Sequence, residues 1–180
     1  MVTDRPRINF YLLALHTVLL AALALAAGPG CAARDKHGNK IKPAQLRLHL
    51  ESYQDVPERL TTVTLGRAAP FRFSVEKGPL LKDDQIVAAA LAEGEGLYSI
   101  KLKLDHQGET MLNQITSANS GKRIAVWADF GEVRWIGSFR IEKRITNGEF
   151  TFTPDTTREE AEKIVDGVNH LAKLHREGRR

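Results

Sequence analysis

The sequence predicts an α+β domain in which a mostly antiparallel sheet carries two to three helices on one face. Apolar and polar residues alternate with a period of two in several short segments, which is typical of strands with one buried face. Three other segments place apolar residues at helical spacing. The connections between the segments are short, and this favours antiparallel strands with helices on one side.

The strands are predicted where the alternation is uninterrupted. It is clearest in residues 98–104, where Ile100, Leu102 and Leu104 are separated by polar side chains. Residues 124–128 are apolar on both faces, which indicates a central strand that is buried on two sides. The same reasoning predicts further strands around residues 45–51, 62–65, 71–76, 133–139 and 150–152.

Helix start and stop signals bound the three helical segments. The first helix is predicted at residues 82–92, where two consecutive aspartates suit the positive end of the helix dipole. The second begins after the capping residue Asp105 and ends at Gly121. The last helix begins at a Thr-x-x-Glu capping box, which starts at either Thr156 or Thr157.

The N-terminal residues have the layout of a secretory signal peptide. Residues 1–30 give a positively charged start, a long apolar stretch and small residues at its end. The next residue, Cys31, is the only cysteine of the chain. Small residues directly before a lone cysteine resemble the lipobox of bacterial lipoproteins, in which the cysteine is acylated and begins the mature chain. The alternative is an ordinary signal peptide or an uncleaved anchor with an incidental cysteine.

The domain organisation follows from these signals. Residues 1–30 are predicted to be the signal peptide, and residues 31–43 the lipid-attachment cysteine with a polar tether. Residues 44–176 form the folded domain, and residues 177–180 are a basic tail. The resulting location is the bacterial cell envelope, where the protein is lipid-anchored and faces the periplasm or the cell exterior.

Charge and cysteine content exclude several classes of protein. The 180 residues contain 26 Lys and Arg against 22 Asp and Glu, a net charge of +4. Removal of residues 1–30 leaves 24 basic and 21 acidic residues, a balance far milder than that of proteins that bind nucleic acid. A single cysteine allows neither an internal disulfide nor a cysteine-based zinc site within one chain.

No recognised catalytic arrangement is present in the sequence. There is no His-x-x-x-His, paired carboxylate site, glycine-rich phosphate loop or Gly-x-Ser-x-Gly turn. Asp83 and Asp84 could bind a cation, but a place at a helix start explains them better. We therefore expect no enzyme activity, no cofactor, no metal and no small-molecule substrate. A small hydrolase or ligand binder built from distant residues is the alternative.

Basic residues occupy the outward positions of three predicted strands. If these strands are neighbours, the open face of the sheet is basic and could attract acidic or extended polypeptide. The alternative is an ordinary solvated face, which antiparallel sheets commonly have. The residues of this candidate binding face are Arg47, His49, Arg72, Lys101 and Lys103.

A set of residues in the second half of the chain follows a recognisable order. Glycine and lysine precede an apolar strand, two isoleucines four apart follow with a glycine after them, and a threonine leads into a Glu-Glu-Ala helix. These residues are Gly121, Lys122, Ile141, Ile145, Gly148, Thr157, Glu160 and Ala161. With its lead-in, this pattern resembles the periplasmic head of SecD, a protein-export membrane protein of the SecDF family, over roughly residues 70–172.

The resemblance implies a non-enzymatic binding module on the extracytoplasmic side. Its partners would be membrane lipid, through acylated Cys31, and polypeptide or an envelope protein. The helices through which SecD couples proton flow to export have no counterpart after the signal segment, so the chain would be an accessory to export and not a translocase. The alternative is an envelope structural or assembly lipoprotein that uses the same fold for protein interaction and has no role in export.

Overall fold

The computed structural model describes residue 38 and residues 40–54, 56–66, 69–94 and 97–178. The predicted signal peptide, the lipid-attachment Cys31 and most of the predicted tether lie outside these residues. None of the helices in the described part of the chain combines the length and the apolar character needed to cross a bilayer.

The described residues form eight strands and two α-helices, as expected of an α+β domain. The strands are β1 Gln45–Leu50, β2 Leu60–Leu65, β3 Phe71–Glu76, β4 Ile86–Gly94, β5 Leu97–Leu104, β6 Arg123–Asp129, β7 Val133–Arg140 and β8 Glu149–Phe152. The helices are α1 His106–Ala118 and α2 Arg158–Gly178. Every strand pair is antiparallel, but the strands form three sheets, β1-β6-β7, β2-β3 and β4-β5-β8, where the sequence predicted one.

The sheet β1-β6-β7 is buried on both faces, with β6 at its centre. Ile124, Val126 and Ala128 of β6 point into the main apolar core. Ala125, which points to the opposite face, is also fully buried. The prediction of a central strand at residues 124–128 is therefore confirmed, because apolar residues on both faces require cover on both sides.

The two-stranded sheet β2-β3, hereafter the ribbon, covers one face of this central sheet. Its inward residues Val63, Leu65 and Val75 form a second apolar cluster with Ala125. His49 of β1 lies beneath the ribbon and is only 6% exposed. Its Nδ1 donates a hydrogen bond of 2.8 Å to the carbonyl oxygen of the β3 residue Glu76.

Burial lowers the pKa of His49 below its ordinary value of 6.5. The hydrogen bond to the Glu76 carbonyl opposes this shift, and the nearby positive charge of Arg47 adds to it. The edge of the imidazole also faces Trp135, with the ring centroids 5.1 Å apart. His49 is thus a neutral side chain that joins the ribbon to the central sheet.

The opposite face of the central sheet meets the main core. This core combines Ile100 and Leu102 of β5 with Phe150 of β8, and both helices contribute to it, α1 through Leu112 and α2 through Ile164. An isolated bridge between Gly137 of β7 and Pro154 links the central sheet to the end of β8. Both helices predicted after residue 104 are therefore present and pack on this core. Asp105 accepts a hydrogen bond from the Gly108 N–H and so caps α1, as predicted.

The predicted helix at residues 82–92 is wrong. These residues form a short 3-10 turn, Asp83–Gln85, followed by the strand β4. Alanine-rich segments favour helix locally, but here Leu91 pairs with Ile100 and Ala89 with Leu102 across an antiparallel ladder. Pairing with β5 therefore overrides the local helix propensity.

α2 protects the free edge of β4 with one side chain. The amide of Asn169 accepts a hydrogen bond of 2.8 Å from the Ala89 N–H and donates one of 2.9 Å to the Ala89 carbonyl. Both backbone groups of an edge residue are satisfied in this way, which prevents pairing with another chain at this point.

α2 also passes very close to the chain just before β1. A Cβ atom on Gly167 would lie 2.6 Å from the Cβ of Ala44 and 2.8 Å from the carbonyl oxygen of Lys42. Glycine inside a helix costs about 1 kcal/mol relative to alanine. Close contact with the backbone of residues 42–44 explains why this position is a glycine.

We expect Gly167→Ala to lower the free energy of unfolding by about 1–3 kcal/mol, because overlap with residues 42–44 outweighs the gain in helix propensity. Urea unfolding followed by circular dichroism measures this change. Gly178→Ala, in the same helix with open space around its Cβ, is the matched control and should change the value by less than about 0.5 kcal/mol. An unchanged Gly167→Ala protein would contradict the close contact.

We expect the stability of the domain to fall as the pH drops below 6.5, the ordinary pKa of histidine. Because the pKa of folded His49 lies lower, the unfolded chain binds the proton first. The stabilising effect of neutral His49 is complete above that pH and is lost as the pH falls to the folded-state pKa.

Free energies of unfolding measured from about pH 8 to about pH 5 test this dependence. His49→Asn keeps an N–H donor for the Glu76 carbonyl and removes the titrating group, so its curve should be flatter than that of the wild type. His106→Asn, at an exposed position, is the matched control. Parallel curves for the wild type and His49→Asn would show that His49 has no part in the pH dependence.

Candidate functional site

The five residues of the predicted basic face lie in three different sheets. Arg47 and His49 belong to β1, Arg72 to β3, and Lys101 and Lys103 to β5. The prediction required neighbouring strands, but β1 pairs with β6 and β5 pairs with β4 and β8. The structure therefore does not bring these residues together on one sheet face.

Most of these residues have local partners. His49 is buried beneath the ribbon, and the guanidinium of Arg47 lies 4.9 Å from the ring centre of Trp127. Lys101 of β5 forms an ion pair of 2.7 Å with Glu149 on β8. Lys103, which also belongs to β5, is exposed. Arg72 alone among the five lines a groove on the surface of the domain.

This groove is an open hollow of about 750 Å³ between the ribbon and the segment that follows β1. Residues of both ribbon strands and of the segment after β1 line it. The residues that line the groove are Glu51, Ser52, Tyr53, Gln54, Pro57, Leu60, Thr61, Thr62, Arg72, Phe73, Ser74 and Arg123.

Two phenylalanines and an arginine form an organised cluster at the groove, which Phe73 and Arg123 line and which Phe71 adjoins. Phe71 and Phe73 lie two residues apart on β3, so they share a face, and their rings stack with centroids 5.8 Å apart. The guanidinium carbon of Arg123 lies 6.0 Å from the ring centre of Phe71 and 5.7 Å from that of Phe73. These distances are those of cation–π contacts.

A buried carboxylate holds Arg123 in this position. Glu51 is only 3% exposed, and its Oε2 accepts a hydrogen bond of 2.7 Å from the Arg123 backbone N–H. Its Oε1 lies 3.3 Å from Nη1 of the same arginine. Because a buried carboxylate requires hydrogen bonds and a cation, the pair fixes the guanidinium over the aromatic rings.

Apolar surface is exposed in the groove at Tyr53 and beside it at Phe71. Tyr53 is 72% exposed and Phe71 is 43% exposed. A second hollow of about 360 Å³ lies on the other side of the segment after β1, and it shares Ser52, Gln54 and Leu60 with the groove. Aromatic side chains, a fixed cation and the hydroxyls of the ribbon suit an extended ligand that carries both apolar groups and hydrogen-bonding groups.

Glu51 is the one acidic side chain among the described residues that line the groove. The part of the chain that the structure describes has no group of three or more His, Cys, Asp or Glu side chains placed to hold a metal ion. Within the groove the carboxylate of Glu51 is engaged by Arg123 and covered.

The first residues of the predicted family motif join the turn after α1 to the end of β7. The Gly121 N–H donates to the carbonyl of Ile141, and the Ile141 N–H donates to the carbonyl of Lys122, both at 2.8 Å. Ile141 is fully buried, and the Ile145 N–H donates to the hydroxyl of Thr116 on α1. Gly148 has a φ of +66°, which favours glycine at the turn that leads into β8.

The last residues of the motif form the start of α2. The Glu160 N–H donates to Oγ1 of Thr157 at 3.2 Å, and the Thr157 N–H donates to Oε2 of Glu160 at 2.9 Å. This is the predicted capping box in its second register. Nη2 of Arg134 donates to the same Glu160 oxygen at 2.9 Å, and Ala161 is buried. These motif residues hold elements together and do not line the groove.

Sequence reasoning missed the central residues of the groove. Phe71 and Phe73 were identified only as the apolar side of a strand, and Glu51 and Arg123 were not singled out. Glu51 and Arg123 are 72 positions apart, so no local pattern indicates that they pair. A glutamate at the end of an alternating strand was the one available signal, because a charge at that point needs a partner.

Comparison with known proteins gives two kinds of finding. Residues 59–167 match the family model described as the SecDF P1 head subdomain, in agreement with the likeness predicted over roughly residues 70–172. No curated protein matches the chain.

Two solved structures share the fold. The one entitled "Crystal structure of SecDF in Super-membrane-facing form" has a TM-score of 0.51 and 18% identity, and it covers 72% of this chain. The chain spans only 19% of that protein's length. The one entitled "Structure and function of a membrane component SecDF that enhances protein export" has a TM-score of 0.54 and 15% identity, with 93% of this chain and 89% of the other covered.

At these identities the structural neighbours establish a shared fold, and the family model establishes more. Its match extends over more than half of the 180 residues, from the turn before β2 to the middle of α2. It includes the ribbon, all of β4 to β8 and the motif from Gly121 to Ala161. The chain belongs to the SecDF P1 head subdomain family.

Proposed function

We propose that this domain is a non-enzymatic module that binds extended polypeptide on the extracytoplasmic side of a bacterial membrane, as an accessory to protein export. Membership of the SecDF P1 head family supports the link to export, since the second structural neighbour is described as a membrane component that enhances protein export. The observation that carries the proposal is the groove, in which Arg123 is fixed over Phe71 and Phe73.

An extended chain would lie in the groove between the ribbon and the segment after β1. Its apolar side chains would contact Tyr53 and the edges of the phenylalanine stack, each contact contributing about 0.5–1.5 kcal/mol. Thr62 and Ser74 lie opposite each other across the ribbon, and their hydroxyls would offer hydrogen bonds to the backbone of the bound chain. An open groove with few contacts binds weakly and without strict sequence preference, which suits a module that must release its ligand.

The lipid anchor is part of the same proposal. Acylation of Cys31 would hold the domain at the membrane through the polar tether at residues 31–43. The groove would then remain near chains that emerge from a translocation channel.

Tyr53→Ser is expected to weaken the binding of an extended peptide by about fivefold to thirtyfold, because it removes the most exposed aromatic side chain of the groove. Fluorescence anisotropy with labelled ten-residue apolar–polar peptides measures the dissociation constant. Leu97→Ser removes an apolar side chain of similar exposure, 68%, on β5 and serves as the matched control. If both variants weakened peptide binding equally, the groove would not be the binding site.

The same position distinguishes the export role from its alternative in cells. A photo-crosslinking amino acid at Tyr53 is expected to form adducts with chains in transit across the membrane, and one at Leu97 is not. Adducts only with a resident envelope complex would instead support a structural or assembly lipoprotein that uses this fold for protein interaction. Adducts of neither kind would contradict both roles.

Cys31→Ser is expected to release the protein from membranes into the soluble fraction, because the acylation site is lost. Fractionation of cells and mass spectrometry of the N-terminal peptide measure the location and the modification. Ser120→Ala, a substitution outside residues 1–30, is the control, and this protein should stay bound to membranes. Retention of Cys31→Ser in the membrane would contradict lipid anchoring at this residue.

A further inference from the structure

Positive charge is concentrated at one corner of a domain that is otherwise balanced. Residues 38–178 contain 20 Lys and Arg and 20 Asp and Glu, so the folded domain has no net charge. Five of the cations nevertheless lie together where β6 begins and β7 ends. These residues, hereafter the basic corner, are Lys122, Arg123, Arg140, Lys143 and Arg144.

Strand pairing brings these residues together. Arg123 of β6 lies directly opposite Arg140 of β7 in the antiparallel ladder, so both side chains point to the same face. The Ile141 N–H donates to the carbonyl of Lys122 at 2.8 Å, which places the lysine beside the end of β7.

Little negative charge compensates the corner. Glu51 neutralises Arg123, and Nε of Arg144 donates to the amide oxygen of Asn113, which is uncharged. Among the described residues, Lys122, Arg140 and Lys143 form no ion pair, and Arg140 and Lys143 are exposed. Glu142 is the only acidic residue between Arg140 and Gly148.

We propose that the basic corner recruits acidic stretches of polypeptide and delivers them to the adjoining groove. This inference rests on the proposed function and adds a preference to it. Arg123 belongs to both sites, because its backbone is part of the corner and its guanidinium lies over Phe73 in the groove. Acidic residues of the ligand lie on the corner, and apolar residues beside them reach the aromatic rings.

The shape of the site favours a polypeptide over an anionic membrane surface. The aromatic side chains next to the corner line a concave groove of about 750 Å³, which an extended chain can enter. A flat layer of headgroups would contact the exposed lysine and arginine but would leave the groove unused. Long-range attraction of this kind raises the rate of encounter and weakens as salt screens it.

Three fluorescent peptides with the same apolar residues and net charges of about −4, 0 and +4 test the preference on the full-length protein in detergent. The acidic peptide is expected to bind about tenfold more tightly than the neutral one at low ionic strength, and this ratio should approach one near 0.5 M salt. Combined Lys122→Glu, Arg140→Glu and Lys143→Glu should reverse the order of the peptides. The matched control reverses three charges elsewhere, with Lys103→Glu, Lys163→Glu and Lys173→Glu, and should keep the wild-type order.

The outcomes separate this inference from the proposed function. Equal affinity for all three peptides would overturn the preference and leave the polypeptide-binding proposal standing, whereas no binding of any peptide would overturn both. The Cys31→Ser protein is also sedimented with vesicles containing about 30% phosphatidylglycerol. Sedimentation that depends on the corner, together with equal peptide affinities, would assign the corner to the membrane surface and overturn the inference.

Discussion

Burial of the central sheet on both faces is the constraint on which the rest of the domain depends. Ile124 and Val126 of β6 are covered by the main core, and Ala125 between them is covered by the ribbon. Two buried faces need two covers, so the helices and β4-β5-β8 supply one side and β2-β3 supplies the other. The groove lies at the border of the second cover, between the ribbon and the residues that follow β1.

The Glu51–Arg123 pair connects the fold to the candidate site. Only the carboxylate of this pair is buried, so removing Arg123 would leave a buried charge on Glu51 without compensation. The two residues therefore belong to the structure as much as to the site. Their geometry fixes a guanidinium over two aromatic rings before any ligand arrives, and such preorganisation reduces the entropy lost on binding.

The distribution of charge is a product of folding and not of composition. Arg123 and Arg140 are separated in sequence, and the hairpin β6-β7 places them side by side. Lys101, which alternation alone placed on an open basic face, is instead neutralised by Glu149 because β8 pairs with β5. A binding function of this domain is therefore better sought where cations lack ion-pair partners in the structure than where the sequence contains many of them.

The sequence by itself determined the features that depend on neighbouring residues. Alternation predicted the strands around Leu48 and Leu102, and a continuous apolar run predicted the strand around Val126. Local capping chemistry predicted the starts of α1 and α2, because all these signals act over a few positions. The tertiary structure decided that residues 86–94 form a strand, since pairing with β5 outweighed their helix propensity. It also decided the division into three sheets and the groove, because these depend on contacts such as that between Glu51 and Arg123, which no local pattern encodes.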